Sequence, residues 1–226
     1  MAFRTKISHE ENEENEKSGT LSAELRMTIA VAGCMSRIGA TTQALHIASY
    51  LYNHYVNVAY VEMNDHGFID LLPEVYEDVK KDRDGNTVYD NITLVKQGDL
   101  STVINNSSYD CIVYDYGSIT DTSFAPMFEE KNVQIIVGGT TPHEMVFTQR
   151  ALEDPRFARA KVVFSFCPQD DQSAVLEQMT GRKSTTYFAK YSPDLFRVPD
   201  SMESVNQKIL PETRIIIDRA KKKGRR

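Results

Sequence analysis

Five short apolar runs constrain this chain more than any other feature. They read TIAVAG from Thr28, NVAYVEMN from Asn57, YDCIVYDYG from Tyr109, VQIIVGGTTP from Val133 and KVVFSFCP from Lys161. Each is short, rich in β-branched residues and apolar without strict alternation, which is the pattern of a strand buried on both faces. The segments between them change period. After the first run, Ala44, Leu45, Ala48, Leu51, Tyr52 and Tyr55 fall on one helical face. PHEMVFTQRALED and QDDQSAVLEQMTG are also helix-like, the second stopping at Gly181. Buried strands alternating with helices predict an α/β domain: a doubly wound, mainly parallel sheet with helices on both faces.

Smaller signals fill in the order. The region from Gly67 to Lys81 reads as helical or irregular. DRDGNTVYDNITLVKQG carries an Asp-Gly turn and predicts a hairpin leading into a strand from Ile92 to Lys96. TTYFAKY reads as a late strand, with two helical stretches after it. No internal repeat or linker divides the chain. The expected organisation is an acidic N-terminal segment over residues 1–26, one domain over 27–211 and a basic tail over 212–226.

The net charge of −6 conceals opposite ends. HEENEENEKSGT is acidic and poor in apolar residues, a composition that favours disorder. RIIIDRAKKKGRR is basic. Either end reads as a solvated tail; the basic one also suits contact with nucleic acid or an anionic membrane through Lys221, Lys222, Lys223, Arg225 and Arg226. Its single apolar cluster makes it a poor anchor, so any docking is peripheral. No apolar stretch has membrane-spanning length, and acidic residues stand where the core of a signal peptide would be. Three scattered cysteines, Cys34, Cys111 and Cys167, suit the reducing cytoplasm and lack zinc-ligand spacing.

In such a sheet, ligands bind beyond the carboxyl ends of the strands. Four stretches fall there: GCMSRIGATT, EMNDHG, YDYGS and GGTTPHE. The first joins strand to helix, where a phosphate cradle is built from inward N–H groups, glycines, a helix N-terminus, a lysine and a hydroxyl. Against G-x-x-x-x-G-K-[ST], the window from Cys34 to Thr41 keeps the second glycine, Gly39, and the hydroxyl of Thr41. Cys34 takes the first glycine position, one residue after Gly33, and Ala40 takes the lysine position. The candidate phosphate contacts are Gly33, Cys34, Met35, Ser36, Arg37, Ile38, Gly39, Ala40, Thr41 and Thr42. Thr41 and Thr42 suit either a magnesium ligand or a helix cap. Cys34 reads as a small buried residue or as a thiol beside a helix start.

Asp115 and Glu62 end neighbouring apolar runs, where an acid can hold magnesium through water; the alternative for Asp115 is a cap of the strand end or the following loop, and the apolar residues before it and Gly117 after it favour the site. Asn64 follows Glu62, but its amide takes up no proton near neutral pH.

Together these segments resemble the MinD/ParA group of P-loop ATPases, the deviant Walker A family. MSRIGATT falls on its K-G-G-x-G-K-T-T loop, VAYVEMNDHG on its switch I strand and YDCIVYDYG on its Walker B strand. IIVGGTTPHEM and LFRVPDS follow in the family's order. The resemblance implies a P-loop fold, ATP or ADP with magnesium held by Thr41, Asp115 and Glu62, a homodimer, and a protein partner. It also marks departures. Met35 replaces the lysine that reaches across the dimer, Ala40 the lysine that grips the β- and γ-phosphates, and Asn64 the water-positioning aspartate. Glu62 and Asn64 are then the candidate catalytic positions. Arg37, where the family has glycine, reads either as a replacement cation or as an outward turn residue.

A charge-assisted phosphate contact contributes about 1.5–3 kcal/mol. Loss of the gripping lysine therefore weakens binding roughly tenfold to a hundredfold, and hydrolysis more, because charge on the transferred group loses a stabiliser. Three functions follow, in this order. The first is a nucleotide-binding switch with weak or no ATP hydrolysis in a positioning, partition or surface-assembly process. The second is a pseudo-ATPase scaffold acting only through protein contacts. The third is an active ATPase rearranged around Arg37 and Glu62.

Overall fold

A computed structural model describes residues 26–120 and 125–224. The acidic stretch from His9 to Thr20, and Arg225 and Arg226, lie outside the described residues. The chain runs β1 (Met27–Gly33), α1 (Ala40–Asn53), β2 (Val58–Glu62), α2 (Phe68–Val75), β3 (Lys80–Lys81), β4 (Thr87–Tyr89) and β5 (Ile92–Lys96). It continues through α3 (Ser101–Ile104), β6 (Cys111–Ser118), α4 (Ala125–Glu129), β7 (Val133–Gly138), α5 (Pro142–Glu153) and β8 (Lys161–Phe164). It closes with α6 (Gln172–Gln178), β9 (Thr186–Phe188), α7 (Asp200–Ile209) and α8 (Arg214–Lys223).

The strands form one sheet in the order β3-β4-β5-β2-β6-β1-β7-β8-β9. From β5 to β9 every pairing is parallel, and only the β3-β4-β5 edge is antiparallel. This is the doubly wound, mainly parallel α/β sheet that the apolar runs predict. All five of those runs are strands, and β2, β6 and β7 are buried along their whole length. The edge has two turns. Gly85 (φ 85°) lies between β3 and β4, where the Asp-Gly turn was expected. Asp90 and Asn91, with φ 48° and 61°, join Tyr89 to its cross-strand partner Ile92. Two successive positive-φ residues give the backbone twist a two-residue hairpin needs, and Asp and Asn tolerate them better than most.

α1 is buried on more than one side, with Ala44, Leu45, Ile47, Ala48 and Leu51 fully enclosed. One side packs on β1, β2 and β6, and another meets α7, where His54 lies 3.3 Å from Glu203. The basic segment is not a free tail as far as Gly224. It folds as α8, which buries Ile216, Ile217 and Ala220 and leaves Arg214 and Lys221 to Lys223 exposed. The three cysteines are free and buried. No cluster of His, Cys, Asp or Glu among the described residues could hold a metal ion by itself, and no described helix is long and apolar enough to cross a membrane.

Candidate functional site

The parallel order brings the carboxyl ends of β1, β2, β6 and β7 side by side, with β1 between β6 and β7. All four predicted stretches therefore meet at one end of the sheet. Leaving β1, the loop is anchored twice: the Cys34 N–H donates to Val137 O (2.8 Å) and the Ile119 N–H to Gly33 O (2.9 Å). The Cys34 side chain turns inward, its Sγ 3.4 Å from Thr148 Oγ1, and burial pushes the thiol above its ordinary pKa. Cys34 is therefore a packing residue. Ser36 and Arg37 are exposed, Arg37 sits at φ 63° on the tip, and Ile38 plugs back into the core. Gly39 then takes φ 100°, a conformation that favours glycine, and Ala40 begins α1.

Among the described residues, no backbone or side-chain acceptor takes up the N–H groups of Ser36, Arg37 and Gly39 to Thr42. They surround an open cleft of about 480 Å³, lined by Met35, Ser36, Arg37, Gly39 to Thr42, His66 and Gly117. Free N–H groups at the start of a long helix favour an anion. No lysine lines the cleft: the Ala40 methyl occupies the lysine position, and Arg37 is the side chain there with a permanent positive charge.

Neither threonine caps the helix through its side chain. Instead the Thr41 hydroxyl donates to Asp115 Oδ2 at 2.6 Å. Asp115 is fully enclosed, and its Oδ2 also accepts the hydroxyl of Tyr60 (2.7 Å) while Oδ1 accepts the Gly117 N–H (2.9 Å). Burial first, and the nearby Asp115 charge second, push the Tyr60 hydroxyl well above the usual tyrosine range, so it serves only as a donor. Thr41 lines the cleft, and its hydroxyl ties the cleft to the enclosed Asp115, which does not line it; hydroxyl and carboxylate oxygens are the hard donors magnesium prefers.

Glu62 does not line the cleft. Its Oε1 accepts the Phe68 N–H (2.7 Å) and its Oε2 the Ile69 N–H (3.3 Å), so both oxygens hold the start of α2. Burial nevertheless raises its pKa. Asn64 is also engaged: its Nδ2 donates to Asp115 O (3.0 Å), and its Oδ1 accepts the His66 N–H (3.1 Å). The turn this makes carries His66 to the cleft, facing Gly117.

Sequence reading did not single out His66, although the quoted EMNDHG contains it. It also missed Tyr60, hidden as one apolar letter of a strand, and the aromatic pair Phe166 and Tyr191. Those two rings, 60% and 70% exposed, lie 5.8 Å apart just beyond β8 and β9. Between them and α1 is a small hollow lined by Gly39, Thr42 and Gln43, whose buried Nε2 has no hydrogen-bond partner among the described residues.

No family model matches the chain, and no curated protein matches it in sequence. Its fold does match solved structures. A chain of the MinC:MinD cell division protein complex from Aquifex aeolicus aligns with a TM-score of 0.53 at 15% identity, covering 88% of this chain and 96% of that one. A protein assigned to plasmid partition in Borrelia burgdorferi B31, bound to AMPPNP, gives a TM-score of 0.54 at 13% identity over 82% and 97%. A ParA family ATPase from Chlorobium tepidum TLS gives 0.50 at 14% identity over 86% and 97%. The chain has the MinD/ParA-type P-loop fold that its strand-end segments resemble.

Proposed function

We propose that this protein is a nucleotide-binding switch of the MinD/ParA kind, with weak or no ATP hydrolysis, acting in a positioning, partition or surface-assembly process. One observation carries the reading: the Thr41–Asp115 hydroxyl-carboxylate contact lies beneath a loop of unpaired N–H groups, while Met35 and Ala40 fill both lysine positions. What remains is a seat for phosphate. What is missing is the charge that stabilises its transfer.

In this reading the N–H groups of Ser36, Arg37 and Gly39 to Thr42 hold the phosphates, and Thr41 and Asp115 hold magnesium, which supplies charge neutralisation when bound. Arg37 closes the cleft as the replacement cation. The base lies toward Phe166 and Tyr191, where exposed rings offer stacking and Gln43 a donor. Asn64 binds the loop together and abstracts no proton, and Glu62 is committed to α2. Homodimerisation and partner docking are the outputs that bound nucleotide biases, with the exposed basic face of α8 as a peripheral contact for nucleic acid or anionic lipid in the cytoplasm.

Thermal unfolding with and without magnesium and ATP or ADP tests this. A ligand at about 100 times its Kd adds roughly 2.7 kcal/mol, so saturation raises the melting temperature by several degrees. Absence of any shift at millimolar nucleotide rejects the switch and leaves a scaffold that works through protein contacts. A stronger arm is Ala40→Lys, which returns the gripping charge to the cleft floor. Binding is expected to tighten roughly tenfold to a hundredfold; an unchanged Kd would show that phosphate does not sit at this loop.

A further inference from the structure

The described chain begins beside the last turn of α8. The Met27 N–H donates to Asp110 O at 3.0 Å, and Oδ1 of the same Asp110 accepts from Lys223 Nζ at 3.4 Å. Arg26 is tied down next to it, its guanidinium donating to the carbonyls of Ile104 (2.7 Å) and Asn106 (2.6 Å). The segment that precedes Arg26 therefore joins the domain at the basic end of α8.

That helix carries positive charge without partners. Among the described residues, Lys223 is the one cation of α8 with an ion pair. Arg214, Lys221 and Lys222 are exposed and Arg219 is half-buried, and Asp218 is the single acid of the helix. Arg214, Asp218 and Lys221 also line an open groove of about 520 Å³ that α8 forms with α7 and with Tyr50 and His54 of α1 and its end.

On the other side of Arg26 stands the complementary charge. Glu10, Glu11, Glu13, Glu14 and Glu16 fill five of seven successive positions, with asparagine at the other two. The chain from Glu16 to Arg26 reaches up to ~33 Å when extended, whereas α8 is about 15 Å long. The glutamates can therefore lie along the whole helix. Being tethered, they meet it at an effective concentration that a separate anion has to exceed.

We propose that the stretch from Glu10 to Glu16 docks on the cationic face of α8 in its own chain and competes there with any anionic partner. The competition rests on the reading of α8 as a peripheral contact given above; the docking does not.

The docking is tested in the full chain with a nitroxide on Asn12→Cys, the three natural cysteines being buried. In low salt the label should broaden the backbone amide NMR signals of Arg214 to Gly224 and leave those of the phosphate loop, at the other end of β1, unchanged. The broadening should vanish in ~0.5 M NaCl, which screens exposed charge, and when the five glutamates are replaced by glutamine. Unbroadened α8 signals in low salt overturn the inference. So does broadening seen only after labelled protein is mixed with separate isotope-enriched protein, which assigns the face to a second copy.

The competition is tested with a fluorescent DNA duplex of about 20 base pairs as the polyanion. The glutamine variant should bind it about tenfold more tightly than the natural protein at low salt, and Lys221→Gln with Lys222→Gln should cancel that gain. Equal affinity of the two proteins, or a gain that survives loss of both lysines, overturns the competition. A duplex bound by neither protein removes the α8 contact itself, and the NMR result still decides the docking.

Discussion

Gly33→Ala is the sharpest probe of how the loop is built. Gly33 lies one residue before the position where a phosphate-loop pattern expects its first glycine, and the structure explains the offset. A methyl at residue 33 would collide with Ile38 and come within 2.8 Å of the Met35 carbonyl oxygen and 3.3 Å of the Gly117 carbonyl oxygen. Two of those neighbours are backbone, and Ile38 is enclosed in the core at 4% exposure. Overpacking of this sort costs about 1–3 kcal/mol, and rigid neighbours place it in the upper half. Because position 33 is not in the left-handed region, the stiffer unfolded alanine chain returns roughly 0.4–1 kcal/mol. The expected net loss is about 2 kcal/mol, or roughly 4–8 °C in melting temperature for a chain of this size.

The control is Gly67→Ala. Its φ of +67° makes alanine strained, but the added methyl meets nothing within 4 Å. Roughly 1 kcal/mol is expected there, with the phosphate loop untouched. Thermal and urea unfolding of both variants supply the stabilities, and nucleotide titration supplies the loop readout, which only Gly33→Ala should disturb. A Gly33→Ala protein within about 0.5 kcal/mol of the natural one, below the usual cost of a core change, refutes the packing argument.

Two further outcomes follow from buried polar groups. His46 on α1 is 2% exposed, its Nε2 3.0 Å from Asp194 O, and burial lowers its pKa below the ordinary 6.5. The unfolded chain therefore binds the proton more tightly, so this contribution to stability is complete above pH 6.5 and declines as pH falls through that value toward the folded pKa. Urea midpoints between about pH 8 and 5 should fall less steeply in His46→Gln, and parallel curves reject the assignment. Thr148, 1% exposed, donates to Glu144 O at 2.9 Å and accepts the Gly139 N–H at 3.3 Å. Thr148→Val keeps the shape but strands a buried N–H at the end of β7, so about 1–3 kcal/mol should be lost in denaturant unfolding.

What could be read from the sequence follows from which interactions are local. The apolar strands and the helix after Gly39 rest on periodicity within a dozen residues, and the order of strand ends then brings the four quoted stretches to one end of the sheet. The hairpin edge was half legible: Asp84-Gly85 announces itself, whereas Asp90-Asn91 requires knowing that Tyr89 pairs with Ile92. Side-chain partners across the sheet were not legible. Glu62 and Asp115 look alike as strand-end acids, yet one turns to α2 and the other to Thr41. Tyr60 carries no signal in NVAYVEMN, because its role arises only when β2 lies beside β6. The basic C-terminal segment misled for a related reason, since its charges dominate the composition while three small or apolar residues decide its packing.

On the proposed reading, binding and hydrolysis separate on this fold. Binding draws on groups the backbone supplies whatever the side chains are: a helix start, free N–H groups and a glycine at φ 100°. Transfer draws on side-chain charge aimed at the phosphoryl group, and here those positions hold an alanine methyl, a methionine and an amide already bonded to Asp115 O. The backbone of the loop has its own anchors in Gly33, Ile38 and the Cys34–Thr148 contact, so a change of side-chain charge leaves the first set in place. Restoring one lysine should therefore improve affinity before it restores turnover. If Ala40→Lys released phosphate rapidly by itself, the water-positioning role would have to lie with another group at the cleft, and His66, the one titratable side chain besides Arg37 among its lining residues, is where that search would begin.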